Sequence, residues 1–423
     1  MGNDSKTIGK IKAQISRFSK GVSAGFPKPT RRFIREMIYG IQAGKDVKLS
    51  NVARSLSEGI PLIQTEKRLS WQGDRRDLTE GLNRNLIKEG SRRVDRDTVL
   101  ALDLGDINKP YAEKMENLAK VRDGSEAKID NGYWLINVVG ADVEGEDLVP
   151  LYSELYSQGA RGFRSENAQI FKAVDMVMDG VGDRGIWAID RGGDRKIIFH
   201  GFLDRGLRFV IRQRGDRDLV LGDGERRSCL SIALGCGCRH KRKLVVDRDG
   251  LRGEKVISLG HAPVKLPFSD EQLYLVVVKG YGRKPLMLLT NLRVVDLDVE
   301  IERILHIYLT RWKCDESYRF IKQNYNLEDI RVRSYNSIRN TVALVQAVFY
   351  FVSVELGRNL KLGILLKKVF EKSKRFFEVP RFKQYAIADG IYKLLFGSKA
   401  GITTVARRDN SPQLSFSFCL DIP

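Results

Sequence analysis

TVLALD, residues 98–103, is a short run of β-branched and aliphatic residues that closes on an acid, Asp103. A run this short and this apolar reads as a buried strand. GIWAID, residues 185–190, has the same form and closes on Asp190. Between them lie two more strand candidates, NGYWLINVVGAD (131–142) and EDLVPLYSEL (146–155). SENAQIFKAVDMVMDG (165–180) follows as an amphipathic helix, with Ser165 as its N-cap and Gly180 closing it. Three strands, a helix and a fourth strand make an α/β core. In open α/β sheets, ligand chemistry collects beyond the carboxyl ends of strands. If the first and fourth strands are neighbours, Asp103 and Asp190 face each other. Asp106 and Asp194 are rivals placed in the following loops, ranked second for that reason.

The rest of the chain divides around this core. The 423 residues are enough for two or three domains. With 42% hydrophobic and 30% charged residues, the composition is that of a globular rather than a disordered chain. The formal net charge is +20, which points to a polyanionic partner, nucleic acid before an anionic membrane. The surplus sits at the ends. Residues 1–95 hold 20 Lys/Arg against 10 Asp/Glu, and residues 359–423 hold 12 against 5. Five cysteines and no secretory signal fit a reducing cytoplasm, and for a DNA-acting protein a nucleoid-associated location. CGCRH (236–240) lacks the usual two-residue gap of a zinc site and has no evident second ligand pair. NTVALVQAVFYFVSV (340–354) is too short to span a bilayer comfortably and reads as a buried helix, so no membrane is expected.

Residues 1–95 read as a helical DNA-binding region. TRRFIREMIYGIQAG (30–44) places Phe33, Ile34, Met37, Ile38 and Ile41 at helical spacing. LSNVARSLSEG (49–59) is a second helix with Ser50 or Asn51 as its cap and Gly59 as its stop, and PLIQTEKRLS (61–70) begins a third at Pro61. Short helices carrying Arg54, Lys67 and Arg68 suit a helix-turn-helix-like reader. Residues 96–205 form the first part of the core. Residues 206–297 are β-rich with no long helical period and read as an insert, in which Arg208, Arg212 and Arg214 of RFVIRQR are candidate DNA contacts. Helix returns as DVEIERILHIYLTRWKCDESYRFIKQ (298–323), within a second core segment, 298–358. Residues 359–423 are a basic, helical C-terminal region and a candidate dimer interface, ending in the tail SPQLSFSFCLDIP.

Two strand-end aspartates and one helical acid make an oxygen-only site. Such ligands suit Mg²⁺ or Mn²⁺, and two such ions activate an attacking hydroxyl and stabilise the leaving oxygen in phosphoryl transfer. The third acid is sought in YLTRWKCDESYRFIK (308–322). On one ideal helix Tyr308, Arg311, Asp315 and Lys322 share a face. Arg311 and Lys322 would hold phosphates, Tyr308 would donate a phenolic hydrogen bond, and Trp312 would pack beneath the site or stack on a base.

These segments resemble DDE transposases of bacterial insertion sequences, in the branch whose ribonuclease H-like core carries a β-rich insert before its glutamate. LALDLGDINKPYAEKMENLAKVRDGS (100–125) is similar to the first-aspartate segment, GIWAIDRGGD (185–194) to the second, and YLTRWKCDESYRFIK to the Tyr-Arg-Glu-Lys signature. The similarity runs from about residue 28 to 350. It implies an α/β fold in which a ribonuclease H-like mixed-sheet core is interrupted by a β-rich insert, flanked by helical N- and C-terminal regions. It implies Asp103 and Asp190 as ligands of Mg²⁺ or Mn²⁺, and Tyr308, Arg311 and Lys322 as DNA contacts. It further implies cleavage at terminal inverted repeats, strand transfer into target DNA, and a homodimer on double-stranded DNA. One departure stands out. The signature's glutamate position is Asp315, shorter by one methylene, with Glu316 next to it. Either Asp315 or Glu316 completes the acid set, or the chain is a weakened transposase that binds DNA without cutting. A structure-specific nuclease on the same core is a further alternative. The insert has no tryptophan, which leaves a hairpin step on the transposon end unsupported.

Overall fold

The computed structural model describes residues 2–122, 128–143, 147–248, 251–294, 297–364, 383–396, 398 and 401–402. Much of the expected C-terminal basic region, with its tail and Cys419, lies outside the described residues. The chain forms two compact units, Met1–Leu82 with Phe320–Pro423, and Asn83–Arg319.

The first unit is helical. It holds α1 (Gly2–Val22), α2 (Lys28–Gly44), α3 (Leu49–Leu56), α4 (Leu62–Asp74), α11 (Tyr335–Tyr350), α12 (Arg358–Ile364) and α13 (Gln384–Phe396). The helical spacing in α2 predicts its buried stripe, and Phe33, Ile34, Met37, Ile38 and Ile41 are all buried. The caps differ from expectation. Lys48, not Ser50 or Asn51, precedes α3, and Ser57 in the left-handed region (φ 48°) ends it before Gly59 is reached. Pro61 occupies the position before α4 rather than its first turn. The apolar stretch Tyr335–Glu355 is long enough by composition to cross a membrane, but it is the buried core helix of this unit, with Phe18 stacked on Tyr350 at 5.7 Å.

The second unit is built on one ten-stranded mixed sheet. Its strands are β1 (Val99–Asn108), β2 (Ala119–Arg122), β3 (Ile129–Ala141), β4 (Leu148–Tyr156), β5 (Ile186–Ile189), β6 (Phe209–Arg212), β9 (His240–Arg248), β10 (Leu251–Val264), β11 (Leu273–Lys279) and β12 (Leu286–Thr290). A separate hairpin pairs β7 (Asp218–Val220) with β8 (Arg226–Ser228). The main order is β2-β3-β1-β5-β6-β12-β11-β10-β9, and β4 pairs with β3 beside β2. β1 pairs antiparallel with β3 and parallel with β5, and β5 pairs parallel with β6. Helices α5 (Thr79–Gly90), α6 (Glu166–Val181), α7 (Lys196–Asp204), α8 (Cys229–Gly235), α9 (Leu297–Thr310) and α10 (Trp312–Asn324) complete the order along the chain.

Several elements depart from the sequence reading. β2 adds a strand before α6. The expected insert, 206–297, continues the same sheet: β6 joins β5, and β12, β11, β10 and β9 extend the edge outward. It also contains the short helix α8. Ser165 caps α6 by accepting from Ala168 N, but the helix closes at Gly182 (φ 67°) rather than at Gly180. β1 does not stop at Asp103. It runs on to Asn108 because β3 keeps pairing with it as far as Gly132, after β5 has ended at Ile189.

α9 packs across one face of the sheet. Ile301, Ile304, Leu305 and Tyr308 recur at helical spacing and bury against Val99, Ile186, Ala188, Val210 and Leu288. Each such side chain contributes about 1.5–3 kcal/mol on burial. The helix expected over 298–323 is two helices, broken at Arg311. Arg311 N bonds Tyr308 O at 3.1 Å and Cys314 N bonds Arg311 O at 2.8 Å. These tight three-residue bonds interrupt the four-residue ladder.

Candidate active site

The parallel register sets Leu102 beside Ile189. One residue further on, both chains reach an aspartate. Asp103 lies inside β1, opposite Asn137 of β3, and Asp190 is the first residue beyond β5. Asp190 Oδ1 accepts from Gly192 N at 2.6 Å and so caps the turn Arg191–Gly193.

The break at residue 311 supplies the other half of the site. Arg311 is 7% exposed, with Nη1 at 3.6 Å from Asp103 Oδ1 and Nη2 at 3.1 Å from Asp315 Oδ2. Its guanidinium also lies over the Tyr308 ring, 5.8 Å from the centroid. Asp103 and Asp315 thus share one guanidinium, and two carboxyls meet across one arginine. Burial pushes the Asp103 carboxyl well above the ordinary carboxylate range, Asp315 and Asp190 push the same way, and Arg311 opposes them. Burial lowers the Arg311 guanidinium, but Asp315 and Asp103 outweigh it and the net shift is upward. Cys314, fully enclosed beside the acids, has a thiol raised by burial.

A strand glycine aligns the two halves. Gly105 shares a face of β1 with Asp103, and the Tyr318 ring fills the space its missing side chain leaves. Tyr318 OH donates to Asp106 O at 2.9 Å. Asp315 and Tyr318 are three residues apart on α10, so seating the ring on Gly105 brings Asp315 over Asp103.

Donor chemistry and geometry give different answers for a divalent ion. Asp103 and Asp315 present the hard oxygens that Mg²⁺ and Mn²⁺ prefer, and they require a proton or a cation between them. Asn137 adds a buried Oδ1 with no hydrogen-bond partner, on the strand facing Asp103. The donors therefore fit such an ion. Yet among the described residues no three acids, histidines or cysteines already stand at ligand positions, Cys236, Cys238 and His240 included. Arg311 supplies the counter-charge instead.

The other expected site residues are scattered. Glu316 is exposed, while Asp315 is half-buried against Arg311. Tyr308, expected to reach DNA, is a core residue at 2% exposure, and its OH receives Arg212 Nη1 at 3.4 Å. Trp312 is exposed. Lys322 pairs with Glu328 at 2.9 Å. The four-residue row on one helical face does not exist as drawn, since Tyr308 and Asp315 belong to different helices. Arg208 donates to Arg96 O at 2.5 Å, and Arg214, exposed, to Arg191 O at 3.2 Å. The rival Asp194 is buried, paired with Arg217 and with Arg214 N, which is a structural role. Asp106 offers its carbonyl to Tyr318.

In the helical unit Arg54 is exposed beside Asn51 and Lys67 is exposed. Arg68 differs from both. It pairs with the fully buried Glu36 and with Glu58 at 2.8 Å, so it holds helices together rather than facing outward. Sequence reasoning missed Gly105, Tyr318 and Asn137. A lone glycine inside a strand was the available signal for the first pair, and Asn137 carried none.

No protein-family model matches the chain, and no curated protein matches it. Among solved structures, the cryo-EM structure of the piggyBac transposase synaptic complex with hairpin DNA is similar over 96% of this chain and 80% of its own, at a TM-score of 0.43 and 10% identity. A likeness at that level carries no argument about activity.

Proposed function

We propose that the chain is a DDE-type transposase that cuts DNA at the ends of a mobile element and joins them to target DNA. The observation that carries this reading is the meeting of Asp103 and Asp315 across Arg311, one residue beyond the parallel pairing of β1 and β5, where Asp190 also lies. The order β4-β3-β1-β5-β6, antiparallel across the first pairs and parallel across the last, is the one expected if the core is ribonuclease H-like, and it supports the same reading.

In this reading Asp103, Asp190 and Asp315 would hold Mg²⁺ or Mn²⁺, and the unpartnered Asn137 Oδ1 would be a further oxygen donor. Such ions lower the pKa of an attacking hydroxyl and neutralise charge on the scissile phosphate. Asp315 rather than Glu316 is the third acid, because it faces Asp103. Arg311 bridges both carboxylates, and its fork suits a phosphate once the acids have another partner. Double-stranded DNA is the partner, bound by a homodimer.

The test is nicking of duplex DNA by the purified chain with Mg²⁺ or Mn²⁺. Asp103→Ala and Asp190→Ala are expected to abolish nicking and keep binding, and Asp315→Ala is expected to act as they do while Glu316→Ala does not. Vigorous cutting by Asp103→Ala removes the assignment. The double pairing of Arg311 also favours a second reading, a DNA-binding protein whose acid site is held shut. Binding without nicking in either metal, indifferent to both Asp315→Ala and Glu316→Ala, would establish it.

A further inference from the structure

A cleft of about 440 Å³ opens between α1 and α2 in the helical unit. Its walls carry Lys20, Lys28, Arg31, Arg32 and Arg35, together with Ser19 and two further serines, and no acid. Arg32 is already committed to Glu36 and Glu58. Two donors in the cleft are buried without an acceptor: the Ser19 hydroxyl, on a residue 1% exposed, and Arg35 Nε. A helical serine ordinarily returns its hydroxyl to the carbonyl four residues back. Burying a donor unsatisfied is costly, so a pair of them beside a cleft marks a place built for an acceptor. The first turn of α2 starts in the same wall. It has no side-chain cap and no acidic residue, which leaves the positive end of that helix uncompensated. Cations, a hydroxyl donor and a helix N-terminus together select a tetrahedral oxyanion.

We propose that this cleft holds a phosphate group, and that the phosphate is a backbone phosphodiester of the duplex DNA on which the proposed active site works. The inference takes only the identity of the polyanion from that reading. No aromatic side chain to stack on a base and no amide to pair with adenine lines the cleft, and its buried serine and clustered cations suit a phosphate. Its contacts position the duplex without selecting sequence. This relocates the DNA contact of the N-terminal region: Arg68 is spent on Glu36 and Glu58, while Lys20 and Lys28 are exposed at the mouth of the cleft.

The experiment is fluorescence anisotropy of the full chain with duplexes of two unrelated sequences, in chelator, across a salt series. Without metal it does not depend on cutting. Lys20→Gln/Lys28→Gln is expected to weaken both duplexes equally and to flatten the slope of log affinity against log salt by about 0.9 per lost contact. Arg35→Gln is expected to do the same, with Arg35→Lys restoring the slope, and Ser19→Ala to weaken binding with the slope unchanged. Melting curves of each variant report folding. Unaltered affinity and slope in both Lys20→Gln/Lys28→Gln and Ser19→Ala overturn the proposal. Calorimetry with inorganic phosphate distinguishes the source. Tight uptake of free phosphate, abolished by Ser19→Ala while duplex affinity stays unchanged, assigns the cleft to a small phosphate ligand and overturns the DNA assignment. A chain that binds duplex through this cleft but never nicks it upholds this proposal and removes only the catalytic one.

Discussion

The Tyr318 ring rests on Gly105, where an added Cβ would lie 2.4 Å from Cζ. This contact lets α10 approach β1 closely enough for Asp315 to meet Asp103. A side chain at 105 must push the ring, and α10 with it, off the strand. Gly105→Ala is therefore expected to cost about 1–3 kcal/mol, the usual penalty of overpacking. Tyr318→Phe keeps the ring and loses the bond to Asp106 O, a cost of about 1 kcal/mol. Chemical denaturation of both variants checks the order. A Gly105→Ala chain as stable as the parent would show that the ring has room to move.

Removing the Asp103 carboxylate is expected to stabilise the fold. Its carboxyl is raised first by burial and then by Asp315, so between the ordinary carboxylate pKa and the raised value the folded chain binds more protons than the unfolded one. Stability contributed by that proton is present at low pH and declines as pH rises through this window. Asp103→Asn carries no charge to bury. It is expected to melt higher than the parent at neutral pH, by roughly 2–4 °C for each kcal/mol regained, with the gap closing toward acid. Thermal melts across pH read it directly, and a gap that widens in acid contradicts the sign.

Arg311 is the counter-charge for two acids, and removing it should expose their repulsion. Arg311→Met is expected to destabilise the chain by about 3–5 kcal/mol, the cost of stranding buried charge. Mg²⁺ or Mn²⁺ should then raise the melting temperature of this variant more than that of the parent, because a cation replaces the lost guanidinium. Chelator should reverse the gain. Equal metal responses in the two proteins would separate Arg311 from the cation site.

Arg68 predicts a stability phenotype. Glu36 is fully buried, and Arg68 with Arg32 is its partner. Burial raises the Glu58 carboxyl, but hydrogen bonds from Thr65 and Arg68 outweigh it and the net shift is downward. Stability from Glu58 is thus present above the ordinary glutamate pKa and lost as pH falls through the lowered one. Arg68→Ala should cost about 2–3 kcal/mol, between an exposed and a buried pair. It should leave the salt slope of DNA binding unchanged once melts show the variant folded. A flattened slope would return Arg68 to the DNA-facing surface.

How far the sequence carried differs from element to element. α2 was legible because its apolar spacing is the cause of its burial. β1 and β5 were legible as apolar runs, and both aspartates came from them. The end of β1 was not, because only the continued pairing with β3 carries the strand past Asp103. The break at Arg311 was equally hidden, since the helical period of 298–323 runs through it without a proline or glycine.

Local periodicity, charge and composition by themselves determined the main strands and helices, where the basic ends lie, and which acids were worth watching. The tertiary structure alone decided that 206–297 extends the sheet, that Arg311 turns inward between Asp103 and Asp315, and that Arg68 serves the core. The reason is physical. Periodicity is written in neighbouring residues, whereas strand order and the partners of a buried charge are fixed across the chain, over 87 positions from Leu102 to Ile189 and 208 from Asp103 to Arg311.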